Sequence, residues 1–346
     1  MERSLSATFP PSIPDFEDVA LAKTVRDRWD NLTKPPGSLG QLEDLVTRFA
    51  LVRGERLPRL ASKAMYVFCA DHGVTVEGVS AFPSEITAMM VRNFLRGGAA
   101  INVLCRHHGI ETAIVDCGVK APCESGVIDR RIAAGTANFA QGPAMTREQA
   151  ERALENGNEL ARAASGRYDI AGIGEMGIGN TTAASALLCV FCGMDASSAA
   201  GRGAGLDDEG LARKVRTIEA ALSRNAPRAD SPIDALAAVG GFEIATMAGF
   251  LLGAAASRLP VVVDGFIASS AALAALAIEP AIRPALFFSH CSAENAHRAM
   301  LGKVGCRPML DLDMRLGEGT GAAIGIGVME AAVKLYREMA TFQDLH

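Results

Sequence analysis

Ala64-Met65-Tyr66-Val67-Phe68-Cys69-Ala70-Asp71 is an apolar run closed by an acid. A run without polar alternation is the pattern of a strand buried on both faces, as in a parallel sheet. The pattern recurs at 111–116, 168–173, 284–289 and in Pro260-Val261-Val262-Val263-Asp264-Gly265. Between these runs the apolar period becomes helical, over 83–107, 181–192, 206–223, 233–256 and 293–301. Strands alternating with helices predict an α/β fold, a parallel sheet with helices on both faces. Polar residues gather just past the strand ends, at Asp71-His72, Glu175, Asp264 and Ser289-His290. Ligands of open α/β sheets bind at that carboxyl edge. Residues 60–305 therefore read as a large catalytic domain. The flanks, 1–59 and 306–346, read as mainly helical and are expected to form a smaller domain.

Composition bounds the function. A chain of 346 residues can bury a large core, and 49% apolar with only 5% aromatic residues points to the Ala/Val/Ile/Leu packing of α/β enzymes. A net charge of −5 without a basic block argues against nucleic-acid binding, which needs clustered Lys and Arg. The longest uncharged apolar runs, 244–257 and 265–278, fall short of the roughly 20 residues that span a bilayer. The polar N-terminus, with Pro10, Pro11 and Pro14, shows no signal-peptide pattern. Eight scattered cysteines fit a reducing compartment, so a cytoplasmic location is expected. Cys189-Val190-Phe191-Cys192 lies in a helical pattern with no second pair to complete a tetrahedral metal site, and reads as core packing. The helical patterns 233–256 and 319–335 carry more apolar surface than one layer on a sheet requires, and a twofold dimer is expected to bury part of it.

Three glycine clusters each precede a helical pattern. They are Gly172-Ile173-Gly174-Glu175-Met176-Gly177-Ile178-Gly179-Asn180-Thr181-Thr182, Gly201-Arg202-Gly203-Ala204-Gly205-Leu206-Asp207-Asp208 and Arg315-Leu316-Gly317-Glu318-Gly319-Thr320-Gly321. Glycine lets backbone approach a ligand, and a helix N-terminus offers unpaired N–H groups to an anion. Three such loops suggest phosphate- or carboxylate-binding segments converging on one site. Glu318, alone among three glycines, is either a proton acceptor at a polar pocket or a helix cap. Asp207-Asp208 more simply caps a helix. Gly172, Gly174 and Gly177 also match the dinucleotide fingerprint G-x-G-x-x-G. That motif needs a second strand ending in an acid about 20 residues on. Asp195, near that distance, follows Cys192-Gly193 at a helix end instead.

A more specific signal is an ordered set of motifs. Thr33-Lys34-Pro35-Pro36-Gly37-Ser38-Leu39-Gly40, Asp71-His72-Gly73-Val74 with Gly78-Val79-Ser80, and Gly97-Gly98-Ala99-Ala100-Ile101-Asn102 come first. The glycine cluster from Gly174 to Thr182, Val239-Gly240-Gly241-Phe242-Glu243-Ile244, Val263-Asp264-Gly265-Phe266 and Leu316-Gly317-Glu318-Gly319-Thr320-Gly321 follow in that order. Over about residues 31 to 335 the chain resembles the nicotinate-nucleotide:dimethylbenzimidazole phosphoribosyltransferase family, which makes the lower-ligand nucleotide of cobalamin. The resemblance implies a Rossmann-like large domain, a small helical domain and a homodimer. It implies transfer of the 5-phosphoribosyl group from nicotinate mononucleotide to a benzimidazole nitrogen. The pyridinium nucleotide already carries a good leaving group, so neither a metal nor a cofactor is expected.

Carried onto this chain, the resemblance makes Glu318 the base, with Glu175 and Asp264 as supporting carboxylates. Gly177, Gly179, Asn180 and Thr181 would line the phosphate and ribose, with Gly203, Ser292 and Gly317 beside them. Lys214 is either a phosphate contact or a surface lysine. Ser80, Pro83, Met89 and Leu316 would border a flat apolar base pocket. His72, His290 and His297 read as structural hydrogen-bonders. The chain departs from the family pattern at Phe82 (for Tyr), Met89 (for Gln), Ala204 (for Thr) and Asn295-Ala296 (for Pro-Gly). The first two bear on the choice of acceptor base. The rival readings are another N-ribosyl hydrolase or phosphorylase, and a silent nucleotide-binding regulator.

Overall fold

The chain, as a computed structural model, is described over residues 9–294 and 296–345. Six strands, all parallel, form one sheet: β1 (Lys63–Ala70), β2 (Glu111–Gly118), β3 (Ile128–Asp129), β4 (Ile170–Met176), β5 (Val261–Val263) and β6 (Leu286–Phe288). Their order is β3-β2-β1-β4-β5-β6, the doubly wound order of dinucleotide-binding folds. The expected α/β, Rossmann-like parallel sheet is therefore present. β3, only Ile128 and Asp129 paired with Val115 and Asp116, is too short to leave a pattern in the sequence. β4 runs past its expected end, through Glu175 to Met176, so Gly172 and Gly174 lie inside a strand rather than in a phosphate-binding turn.

Right-handed crossovers decide which helix covers which face. The first face carries two N-terminal helices, α1 (Val19–Asn31) and α2 (Gln41–Arg53). It also carries the two helices between β1 and β2, α3 (Glu85–Arg96) and α4 (Ala100–His108). The other face is covered by α5 (Arg147–Ser165), α6 (Asn180–Cys192), α7 (Ala196–Ala199), α8 (Asp208–Asn225), α9 (Pro232–Val239), α10 (Phe242–Ala256), α11 (Phe266–Ile278) and α12 (His297–Val304). Crossovers from β4 to β6 all lie on this second face. The first face of β4, β5 and β6 would be bare without the terminal helices. α13 (Thr320–Glu338), α1 and α2 cover it, burying Trp29, Phe49, Ile326 and Tyr336 with Ile170, Val262 and Phe287 of the sheet. Arg48 of α2 donates to the Leu286 carbonyl at 2.9 Å, and its guanidinium lies 4.0 Å over the Phe287 ring. The N- and C-terminal segments thus come together, and their core is continuous with one face of the sheet.

Two expected helices are each broken in two by glycine pairs. The 83–107 pattern is α3 and α4, separated where Gly97 ends α3 in the left-handed region. The 233–256 pattern is α9 and α10, separated at Gly240-Gly241. α12 begins at His297 rather than 293; Asn295 lies outside the described residues. Residues Phe242 to Ala255 of α10 are all buried. Much of the apolar surface of the 233–256 and 319–335 patterns, expected to drive a dimer, is buried inside the chain, the first against α5, α11 and the sheet and the second against α2, α4 and the sheet.

α5 and α10 touch backbone to backbone. A Cβ on Gly249 would overlap the Leu154 carbonyl, and one on Gly157 would overlap the Thr246 carbonyl. An Ala in an open helix position gains up to about 1 kcal/mol over Gly. Here overpacking reverses that sign: Gly249→Ala should cost ~1–3 kcal/mol or more. Gly142→Ala, with nothing within 4 Å of its Cβ, should be near neutral. Thermal denaturation of the two variants checks the contrast.

Candidate active site

At the carboxyl edge, connections leave the adjacent strands β1 and β4 toward opposite faces, and a crevice opens between them. It is a cleft of about 240 Å³. The polar residues Glu175, Asn180, Thr181, Ser292 and Glu318 line it together with the apolar residues Val79, Phe82, Ile86, Met90 and Leu316.

Glu318 owes its position to the turn before α13. Gly317, Glu318 and Gly319 all have positive φ, +83°, +64° and +93°. A non-glycine residue in that region is strained and persists only when its surroundings hold it. Asp264, at the end of β5, supplies the hold. Its Oδ2 accepts from the Gly319 N–H and its Oδ1 from the Ala322 N–H, both at 3.0 Å. The cap of α13 is therefore Asp264, and Glu318 is free of that task. The turn also rests directly on β4, where a Cβ on Gly174 would overlap the Gly319 backbone. Glu318 is buried, and its Oε2 has no partner among the described residues. Burial pushes its carboxyl above the usual range; the Ile101 N–H works against that and Asp264 adds to it.

Glu175 stands beside it on β4. Its Oε2 accepts from Asn180 Nδ2. Burial, then the charge of Glu243, then that of Asp264, push its carboxyl up to about 8, Asn180 pulls it down and Glu318 adds a smaller rise. Asp264 lines the cleft as expected, but both its oxygens are engaged by backbone donors. It reaches the site by fixing Glu318 and by its charge.

Ser80, Gly177, Gly179, Gly203 and Gly317 also line the cleft. Pro83, Met89 and Lys214 do not. Met89 is 54% exposed, whereas Ile86 and Met90, one helical turn apart on α3, face the cleft. Lys214 is not a surface lysine. It is fully buried behind the loop, donating at 3.0 Å to Thr181 Oγ1 and to the Gly201 carbonyl, and burial lowers its ammonium to about 8 against a raising effect from Glu294. Of the three expected glycine-rich helix starts, α6 opens on the cleft, and the start of α13 is capped by Asp264. The third is closed by its own side chain, since Asp207 accepts from the Gly210 N–H at 2.8 Å. His297 is a structural residue as expected. It accepts from the Ser292 N–H at Nδ1, pairs with Ser269 at Nε2, and is lowered by burial to about 3.

Sequence reasoning missed Arg202, Arg315 and Glu294 as cleft residues. Both arginines stand inside quoted glycine motifs, so the signal was their place beside those glycines. The i, i+4 spacing of Ile86 and Met90 was likewise available.

A family model described as Phosphoribosyltransferase matches residues 15–345. The chain belongs to this family. It is 52% identical over 326 residues to the nicotinate-nucleotide--dimethylbenzimidazole phosphoribosyltransferase of Pelodictyon phaeoclathratiforme, covering 93% of this chain and 92% of the relative. It is 52% identical over 331 residues to the protein of the same name from Geobacter sulfurreducens, covering 94% of each. The crystal structure of CobT from Thermus thermophilus superposes with a TM-score of 0.89 at 45% identity, over 94% of this chain and 98% of that one. Among the described residues no helix is long and apolar enough to cross a membrane.

The raised Glu175 couples this phosphoribosyltransferase cleft to stability. The folded chain holds a proton at Glu175 up to about pH 8, whereas an unfolded glutamate releases it near 4.5. Stability from this group is thus full below 4.5 and lost as pH rises through about 8. Wild type should lose Tm across that window, and Glu175→Gln should flatten the loss. Thermal melts across the window check the slope.

Proposed function

We propose that the cleft transfers the 5-phosphoribosyl group of nicotinate mononucleotide to a ring nitrogen of 5,6-dimethylbenzimidazole or a similar flat azole. The products are alpha-ribazole 5'-phosphate and nicotinate, for assembly of the cobalamin nucleotide loop. The observation that carries this reading is the buried Glu318 carboxylate oxygen, unpartnered among the described residues, in a cleft that apolar side chains also line.

The chemistry follows from the two kinds of lining residue. The flat base lies against Val79, Phe82, Ile86, Met90 and Leu316. The phosphoribosyl group lies along Gly177–Thr181 and Gly203, with Arg202 and Arg315 as cations at the rim. The C1'–pyridinium bond breaks, and its electron pair returns to the nicotinate nitrogen. The azole lone pair forms the new C1'–N bond, and the azole N–H proton passes to Glu318. A carboxylate there both takes the proton and stabilises positive charge at C1' as it develops. Its raised proton affinity suits a base that must accept from a weakly acidic azolium.

Acceptor choice is expected to rest on the side chains of the apolar wall, which offers a flat base few hydrogen bonds. We further infer a homodimer. Met89 on α3 and Val103 on α4 are each more than half exposed, and a second copy would cover such side chains. Light scattering at micromolar concentration should give twice the chain mass; a monomer removes the dimer.

Glu318→Gln keeps size and polarity but cannot take the proton. Its kcat should fall by ~10²–10⁴-fold while nicotinate mononucleotide still binds. Steady-state kinetics with product analysis decides. Activity within about threefold of wild type removes Glu318 from the mechanism. Nicotinate release with water or phosphate alone would make the protein a hydrolase or phosphorylase. Binding without release under any acceptor would make it a silent regulator.

A further inference from the structure

His72 and Glu243 form a closed pair beneath the cleft. His72 follows β1, and Glu243 lies in the first turn of α10. Their side chains are 0% exposed, with Nε2 and Oε1 2.6 Å apart. Neither His72 Nδ1 nor Glu243 Oε2 has a partner among the described residues. With Nδ1 unpartnered, the ring N–H is best placed on Nε2 and donated to Glu243.

What rests on this pair is the loop that carries the site. A Cβ on Gly177 would overlap the Ala70 carbonyl and stand 3.3 Å from Glu243 Oε1 and 3.4 Å from His72 Cδ2. One on Gly179 would stand 3.4 Å from His72 Cβ. The loop from Gly177 to Asn180 therefore lies directly on the ring and carboxylate. That loop starts α6 and delivers Asn180 to Glu175.

We propose that His72 and Glu243 are a positioning pair that seats the Gly177–Asn180 loop, and with it Asn180 and Glu175, to receive the phosphoribosyl donor. The pair ties together the end of β1, the start of α10 and the loop after β4. Removing one partner leaves a buried polar group unpaired, which destabilises far more than the intact pair stabilises. The backbone that lies against the pair, at Gly241 and at the Gly177–Asn180 loop, would have to respond. Glu243 is also the strongest charge acting on Glu175, ahead of Asp264 and Glu318 from the other elements packed there. The pair therefore sets charge as well as position.

The proposal rests on the reading of the cleft as a nicotinate mononucleotide site, and the test separates the two. Glu243→Gln keeps the volume and removes the charge. Calorimetry should show nicotinate mononucleotide binding weakened by about 10–100-fold. The infrared C=O band of protonated Glu175, identified by its loss in Glu175→Gln, should disappear roughly one pH unit lower than in wild type. A pair that merely fills the core would lower Tm and leave the affinity unmoved. Unchanged affinity in folded Glu243→Gln overturns the proposal. If Glu243→Gln does not fold, His72→Gln takes its place, since it keeps a donor toward Glu243 but removes the ring under Gly177; the same weakening is expected and its absence is equally fatal. If wild type binds no nicotinate mononucleotide, the reading of the cleft fails. The pair is then judged on the infrared shift alone, and an unmoved band sinks it.

Discussion

The Asp264 carboxylate fixes the turn that carries Glu318 to the cleft. It leaves the end of β5 and takes two N–H groups from the first turn of α13. A helix otherwise begins with unsatisfied donors, and a carboxylate there is favoured both by hydrogen bonding and by the helix dipole. In this chain the cap also spans two covering layers. It binds a helix on the first face to a strand whose crossovers lie on the second. The left-handed turn at Gly317–Gly319 is the geometric consequence, and Gly174 is the clearance that lets the turn lie on β4. Any loss at Asp264 would leave a strained residue without the contacts that hold it. Glu318 would be the first side chain to lose its place.

That arrangement concentrates acids. Glu175, Asp264 and Glu318 line one cleft, and Glu243 lies just beneath it. Buried like charges cannot all be held at once, so a proton is retained where burial and neighbouring charges outweigh the available donors. Glu175, raised to about 8, is the group that keeps one. The result is a cleft lined by several carboxylates, in which the retained proton limits their mutual repulsion. Asp264 keeps its charge compensated by backbone donors, and Glu318 keeps one oxygen uncompensated. Carboxylates are thus split into a structural cap, a proton-holding neighbour and one whose Oε2 has no partner among the described residues, by what surrounds each one.

Much of this was legible in the sequence because its signals are short-range. The apolar run from Ala64 to Ala70 and the Pro260–Asp264 segment announced buried parallel strands, and strand-end acids marked the functional edge. Glu318 and Glu175 stood out because glycines surrounded them. What stayed hidden depends on long-range contact. The sequence near Glu318 cannot reveal that its helix is capped from β5, 55 residues away. Lys214 could not be known as buried, because its partners Thr181 and Gly201 come from other elements. Met89 lies outside the cleft lining for a local reason. The motif assigns a position to the base pocket, but on α3 the inward stripe falls on Ile86 and Met90.

The strand order is that of dinucleotide-binding folds, yet the glycine-rich loop follows β4 rather than β1. In those folds the first strand ends in glycines because a pyrophosphate must approach its backbone. Here β1 ends in Asp71-His72, and both side chains turn that corner into protein. Asp71 Oδ2 accepts from the Lys120 N–H at 2.8 Å, tying the corner to the end of β2, and His72 pairs with Glu243. With that half of the crevice occupied by side chains, backbone on the other side must come to the ligand. The glycines at 177 and 179, laid over His72, supply it. The switch point therefore still opens a crevice, but the sequence assigns its two walls in the reverse sense. That is why a fingerprint match at Gly172, Gly174 and Gly177 does not make this a nicotinamide-cofactor site.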